Sequence, residues 1–447
     1  MIFTWLLLFF IVTTAAQAQI KFDDYFLDQS MRIDYYHMAD KTTEFISLDK
    51  IYLQGKWAGN PNSLTEPFDN GYYYIKIYDV DSNALLYSKG FSSYCSEYMT
   101  TDMAAKGIKR TFHETALIPF PKKSIKFVLE RRDRQNQLNP IFYQIIDPQS
   151  IEINKESLAD GVTVYEILKN GDPHNKVDLA FIAEGYTSTE ERKFKLDVER
   201  MSEELFNQEP FKSNKSNFNI NGLFKASKES GPDEPEEGIF KCTAVGTSFN
   251  ALGLNRYMLT EENRAIRDIA AHAPYDAIVI IVNSQRYGGG GIYNSYCCFC
   301  SDNEWTPYLF LHEFGHSFGG LADEYYVSNV AYNDFYPKGV EPTEPNITAL
   351  LDPLNLKWKN LVKKGTPIPT PWGKEEYEKL IGQDQAYFLQ SRKTKLKNMV
   401  GAFEGAGYSA AGLYRPMLNC IMFSKGVIPY CKVCENAIAT VIRYYTL

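Results

Sequence analysis

Two histidines four residues apart, with a glutamate beside the first, are the residues of this 447-residue chain whose types and spacing most directly imply chemistry. They stand in Leu311-His312-Glu313-Phe314-Gly315-His316-Ser317-Phe318-Gly319-Gly320-Leu321-Ala322-Asp323-Glu324-Tyr325. On a helix, positions i and i+4 share a face about 5–6 Å apart at Cβ, so both imidazoles can reach one Zn²⁺. Glu313 then faces a water activated by the ion and can take its proton. The chain has only six histidines, and chance would supply such an HExxH match about 0.006 times. The apolar run Tyr308 to Leu311 suits a helix buried against a core. Gly319 stands where that helix can stop in the left-handed conformation.

Catalytic zinc takes three protein ligands and keeps one open position. The extended pattern of metzincin peptidases would place its third ligand at position 322, which here is Ala322. The expectation therefore moves to Asp323, with Glu324 as the alternative; the acid not used would hold a histidine ring nitrogen. Met422, in Cys420-Ile421-Met422-Phe423-Ser424, is the expected floor residue of a methionine turn, with Met417 as runner-up. A tetrahedral oxyanion needs a donor besides the metal, and Tyr408 and Tyr414 are the candidates among 31 tyrosines. Gly288, Gly289, Gly290 and Gly291 follow a buried strand and read as a loop that lets an extended peptide approach the backbone. Lacking GxxxxGK[ST], that loop is no phosphate cradle. His113-Glu114-Thr115-Ala116-Leu117 begins like the zinc motif but lacks the second histidine.

The elements that must position these residues fall into two regions. From Ile20 to about Ile146, short strands rich in aromatic and β-branched residues alternate with turn signals. Examples are Tyr72–Tyr78 and Ser124–Glu130, with Asp69-Asn70-Gly71 and Asp81-Ser82-Asn83 between strands. Without convincing helices, this pattern predicts an all-β sandwich over 19–155. A polar linker covers Asp147 to Gly161. The pattern over 160–447 is α/β: a strand at Val177–Ile182, then a helix opened by a capping box of Ser188 and Glu191. Its apolar face is Phe194, Val198, Met201 and Leu205. A second helix over Glu261–Ala271 and a buried strand at Ala277–Val282 follow.

Residues 1–18 read as a signal peptide, with an apolar Trp5–Val12 and a small-x-small site at Ala16-Gln17-Ala18, so the chain is expected to be exported. In an oxidising compartment, disulfides are the favoured reading of Cys297, Cys298, Cys300, Cys420, Cys431 and Cys434. Four metal-binding cysteines or a redox CxxC are the alternatives, and Cys95 is left unpaired. A net charge of −8 gives no footprint for nucleic acid, and no later stretch reaches membrane-spanning length.

HEFGHSFGGLADEYY, FEGAGYSAAGLYRP and the CIM…CKVC ending resemble the IgA-metallopeptidase family, number sixty-four among metallopeptidase families. SLDKIYLQGKWAG, NGYYYIKIYD and GIKRTFHETALIPFPKKSIKFVLERRDR resemble the β-sandwich domain that precedes the peptidase in its relatives. The resemblance implies a secreted zinc endopeptidase with a metzincin-like catalytic domain. His312 and His316 would be ligands, Glu313 the base and Asp323 the third ligand. Protein or peptide substrates are implied; immunoglobulin A itself is not carried over, because pocket walls set specificity. Zn²⁺ is the expected cofactor, and a structural Ca²⁺ is left open. The alternative reading is a host- or glycan-binding surface protein with a silent peptidase domain, glycan contact falling to the sandwich.

Overall fold

Alternating burial along the first strands builds the N-terminal region. The computed structural model describes residues 20–157, 160–326, 335–380, 385–389, 396, 398–426 and 428–447; the expected signal peptide lies outside them. Eight strands come first: β1 (Phe26–Ala39), β2 (Glu44–Gln54), β3 (Tyr73–Asp79), β4 (Leu85–Phe91), β5 (Arg110–Pro121), β6 (Ile125–Arg132), β7 (Leu138–Ile146) and β8 (Ile153–Asn154). They form two four-stranded sheets, ordered β5-β1-β2-β8 and β4-β3-β6-β7. Met31 and Ile33 from one sheet, and Ile75, Ile77, Phe127 and Leu129 from the other, share a single apolar cluster. The expected strands at Tyr72–Tyr78 and Ser124–Glu130 are β3 and β6. Asp69 and Gly71 in the turn before β3 both take positive φ.

Two expectations for this region need correction. It is not purely β, since short helices cover Phe22–Tyr25, Tyr94–Tyr98 and Asp102–Ala105. Ser93 supplies the side-chain cap for the second of these, accepting from the Ser96 N–H, and local capping is what the strand pattern obscured. The stretch expected as a linker also contains β8, which pairs in parallel with β2 through Ile153.

The second region is a mixed α/β unit around one six-stranded sheet. Its strands are β9 (Val162–Leu168), β10 (Val177–Glu184), β11 (Phe218–Lys225), β14 (Ala277–Val282), β15 (Gly289–Ile292) and β16 (Tyr296–Cys300); β12 (Thr247–Ser248) and β13 (Leu259–Thr260) make a separate pair. The order is β15-β16-β14-β10-β11-β9, with β10, β11, β14 and β16 parallel and both edges antiparallel. The helix Glu191–Phe206 buries Phe194, Val198, Met201 and Leu205 completely. Each such side chain contributes about 1.5–3 kcal/mol, which outweighs the weak propensity of an isolated helix. Its capping box lies one residue earlier than expected: the Thr187 N–H and hydroxyl both donate to Glu190, at 2.8 and 2.9 Å. The box closes a 3₁₀ turn at Ser188–Glu190 before the helix begins. The second helix is Asn263–Ala270.

The HExxH segment lies on the helix Thr306–Ser317. Phe310 and Phe314, fully buried, turn toward the sheet, where Phe310 meets Phe181 of β10 and Phe299 of β16. Gly319 does not carry the left-handed stop; Gly320 does, with φ +59°. Close packing needs Gly319 instead, because a Cβ there would lie 2.8 Å from the Gly315 carbonyl and 3.0 Å from Ile438.

The two regions meet over a polar joint. Buried Arg32 holds Asp34 through two hydrogen bonds and reaches Asp268 at 2.6 Å. Tyr293 donates to Glu66 at 2.8 Å, and Asn70 donates to the Gly320 carbonyl at 3.0 Å. No described helix is long and apolar enough to cross a membrane.

Candidate metal centre

Helical spacing aligns the two histidines, and the left-handed turn at Gly320 returns the chain so that Asp323 faces them. The His312 and His316 Nε2 atoms are 3.2 Å apart, and Asp323 Oδ1 lies 3.1 Å from the first and 3.3 Å from the second. Each ring is oriented by a backbone carbonyl: His312 Nδ1 by Ile421 at 3.1 Å and His316 Nδ1 by Leu321 at 2.7 Å. With Nδ1–H donating, both Nε2 atoms present lone pairs to a carboxylate oxygen that itself takes no hydrogen bond. Three acceptors at such distances are repulsive unless a cation, a metal ion or a proton on His316, lies among them. Tetrahedral coordination at about 2.0–2.1 Å separates N and O ligands by about 3.3 Å, so the trio fits zinc.

The electrostatics agree. Burial works against both charged forms. Asp323's charge more than reverses this at His316, pushed up to about 9. The rings of His316 and His312 in turn hold the Asp323 carboxyl well below the usual carboxylate range. A metal entering here displaces a proton. The Tyr408 hydroxyl donates to the other carboxylate oxygen, Asp323 Oδ2. Tyr408 reaches it from a backbone at φ +63°, and the Gly407 amide donates to the Asp323 carbonyl.

Glu313 lines the same cavity, of about 430 Å³. Burial pushes its carboxyl up, with the charges of His312 and His316 opposing. Of the glycines expected to form a loop, Gly289, Gly290 and Gly291 are in fact in the edge strand β15, antiparallel to β16, and Gly288 precedes it. Gly289 and Gly291 let this strand press on the helix: an added Cβ at Gly291 would stand 2.3 Å from the Glu313 carbonyl oxygen. Gly290 points instead at Tyr257–Leu259, and Gly288 lies against Phe249. Of the four, Gly289 and Gly291 line the cavity. The outer side of β15 is partly taken, because the Met258 N–H donates to the Gly289 carbonyl at 3.2 Å.

Met422 is fully buried below the helix, its sulfur 3.0 Å from where a Gly315 Cβ would stand. Met417 is only partly buried. Tyr414 is not among the cavity-lining residues; it sits on β18 (Ser409–Arg415), across from Glu404 of β17 (Phe403–Ala406), and its N–H donates to Thr348. Glu324 turns away from the histidines altogether, toward three cysteines. No disulfide forms among the described residues; all eight cysteines are free. Cys297 and Cys298 sit in β16 on opposite faces of the sheet, packed as small apolar side chains into two different cores.

Sequence reasoning missed Arg256, Tyr325, Tyr287 and Tyr308, all of which line the cavity near Glu313. Tyr308, four residues before His312 on the same helix, and Tyr325, two residues after Asp323, could have been found from the motif itself; Arg256 and Tyr287 lie far from it in sequence. It also missed one whole wall: Asn70, Tyr72, Ser92, Glu97, Arg131 and Arg134 reach the same cavity from the N-terminal region.

A ligand trio of this kind beside a half-buried carboxylate is what a metal-dependent hydrolase requires. The chain belongs to the IgA Peptidase M64 family: that family's model matches residues 165–442, and the model of the Peptidase M64 N-terminus matches residues 21–143. No curated protein matches the chain. Family membership supports a metallopeptidase acting on protein substrates.

Proposed function

We propose that this protein is an exported zinc endopeptidase in which His312, His316 and Asp323 hold the ion and Glu313 is the general base. In this reading the mixed α/β region is metzincin-like and the two N-terminal sheets form a sandwich. The observation that carries the reading is the triangle of three lone-pair atoms, 3.1–3.3 Å apart, opening onto the cavity beside Glu313. Bound zinc would supply a Lewis acid for the scissile carbonyl and acidify the attacking water. Glu313 accepts the water's proton and returns it to the leaving amine. Arg256 and Tyr325, cationic and phenolic donors on the cavity wall, are placed to hold developing negative charge. Tyr408 is committed to Asp323, which makes it a positioning residue for the third ligand. Edge strand β15 and the N-terminal wall would flank an extended peptide of an extracellular protein.

Glu313→Gln tests this. The variant should keep its zinc, measured by elemental analysis, while kcat for peptide hydrolysis falls about 10²–10⁴-fold. Activity within threefold of the parent would overturn the assignment of the base.

A further inference from the structure

Beneath the catalytic trio lies a second cluster that the peptidase chemistry does not use. Glu324, Cys420, Cys431 and Cys434 each bring one ligand atom into a group whose members all lie within 4.8 Å of one another. Three of the four are fully buried, and Cys431 is 3% exposed. Cys420 Sγ and Cys434 Sγ are 3.8 Å apart; Glu324 Oε1 lies 3.2 Å from Cys434 Sγ and 3.7 Å from Cys431 Sγ. Tetrahedral zinc, with Zn–S about 2.3 Å and Zn–O about 2.0 Å, separates its ligands by about 3.8 Å for S···S and 3.5 Å for S···O. The Cys431 N–H donates to Cys420 Sγ at 3.2 Å, a bond that favours the thiolate.

A disulfide does not account for this group. Three sulfurs cannot pair off, and no two of the cysteines are bonded. A carboxylate would remain buried beside the odd thiol, with Glu324 Oε2 lacking any hydrogen bond. The nearest cation does not resolve it either. Arg415 gives its two terminal nitrogens to the carbonyls of Glu404, Gly405 and Leu418, leaves its Nε–H without a partner among the described residues, and stacks on Phe423. Among the described residues it makes no ion pair with Glu324. Burying such groups without a counter-ion is costly. Soft sulfur donors exclude Ca²⁺ and Mg²⁺.

We propose that Glu324, Cys420, Cys431 and Cys434 form a second, structural zinc site, separate from the catalytic trio. This inference is independent of the peptidase reading. All four positions are filled by protein, as structural rather than catalytic zinc requires. Three thiolates and a carboxylate leave the zinc complex at −2, and the buried Arg415 guanidinium lies where it offsets part of that. The ion ties three segments together: the turn that delivers Asp323, the turn that carries Met422, and the first turn of the C-terminal helix Lys432–Thr446, whose N-cap is Cys431. Two links run from it to the trio. Glu324 adjoins Asp323, and Ile421, whose carbonyl orients His312, adjoins Cys420.

The test uses the full chain, loaded with zinc and dialysed against metal-free buffer. Elemental analysis should find two zinc ions per chain, and His312→Ala/His316→Ala should retain one. X-ray absorption at the zinc edge of that double variant should show about three sulfur scatterers near 2.3 Å. Cobalt in its place should give thiolate charge-transfer absorption. Glu324→Cys should keep the second ion, and Glu324→Ala should bind it more weakly. Because a cysteine variant can fail to fold, the double histidine variant is the deciding sample. No zinc in that folded variant, zinc without sulfur neighbours, or a Cys420–Cys434 disulfide found by mass in the zinc-loaded protein would each overturn the proposal.

Discussion

Gly291→Ala is the sharpest probe of how the HExxH helix is seated. The backbone at Gly291 has no positive φ, so alanine is not excluded by conformation. The obstacle is contact: the new Cβ would stand 2.3 Å from the Glu313 carbonyl oxygen and 3.2 Å from its Cα. An ordinary carbon–oxygen contact is about 3.4 Å, so strand and helix must separate by about 1 Å. The clash falls on the backbone of the proposed base, and a 1 Å misplacement of a catalytic group can cost about 10²-fold in rate. Overpacking of this kind costs roughly 1–3 kcal/mol, which lowers Tm by several degrees. Steady-state peptide hydrolysis, Tm and zinc content should be measured together. The expected result is a fall in kcat near 10²-fold, a lower Tm and retained zinc. Gly55→Ala is the control, because its Cβ meets nothing within 4 Å. Activity within threefold and an unchanged Tm for Gly291→Ala would refute the claim that glycine is there to admit the helix.

Other outcomes follow from the same geometry. Tyr408→Phe removes the hydroxyl that supports Asp323 and should weaken zinc about 10–100-fold in a chelator competition; unchanged affinity would detach Tyr408 from the ligand set. Glu66, at the joint between the regions, is pushed up to about 7 by burial, with hydrogen bonds from Tyr293 and the Gly90 amide pulling the other way. The folded state thus holds this proton more tightly than the unfolded chain, whose value is near 4.5. Stability from this group is present below that value and lost as pH rises to 7, by at most about 3 kcal/mol. Glu66→Gln should flatten the fall in Tm over that window, and an unaltered profile would contradict the assignment. Phe310→Ala should cost about 3–5 kcal/mol, whereas Phe240→Ala, at an exposed site, should stay within about 0.5 kcal/mol; equal Tm losses would place the core elsewhere.

The parts of the fold that are legible in sequence are those governed by short-range periodicity. Phe194, Val198, Met201 and Leu205 announce their helix because one face must be apolar, and Ala277–Val282 announces a buried strand by its length and branching. Boundaries shift by a residue where a 3₁₀ turn competes, as at Thr187 and Ser188. The three site residues His312, Glu313 and His316 are adjacent in one motif, so spacing alone suggests their union. Asp323 needs one inference about a turn. Arg256 and the N-terminal wall are out of reach, since only tertiary packing brings them to the cavity. The expectation of disulfides fails for a related reason. Spacing says that Cys431 and Cys434 are close, but only the folded chain shows that their companions are Cys420 and Glu324.

The cavity's divided ownership has a consequence for how such an enzyme could diversify. Arg131 at the end of β6, Arg134 in the turn after it and Tyr72 just before β3 line the cavity from a region that carries none of the proposed ligands or the proposed base. A change at those positions can redraw what is admitted while the ligands, the base and their supporting carbonyls stay as they are. On the proposed reading, selectivity and chemistry sit on separately mutable stretches of one polypeptide, and exchanging the N-terminal region between relatives would transplant about a third of the cavity's lining rather than an accessory.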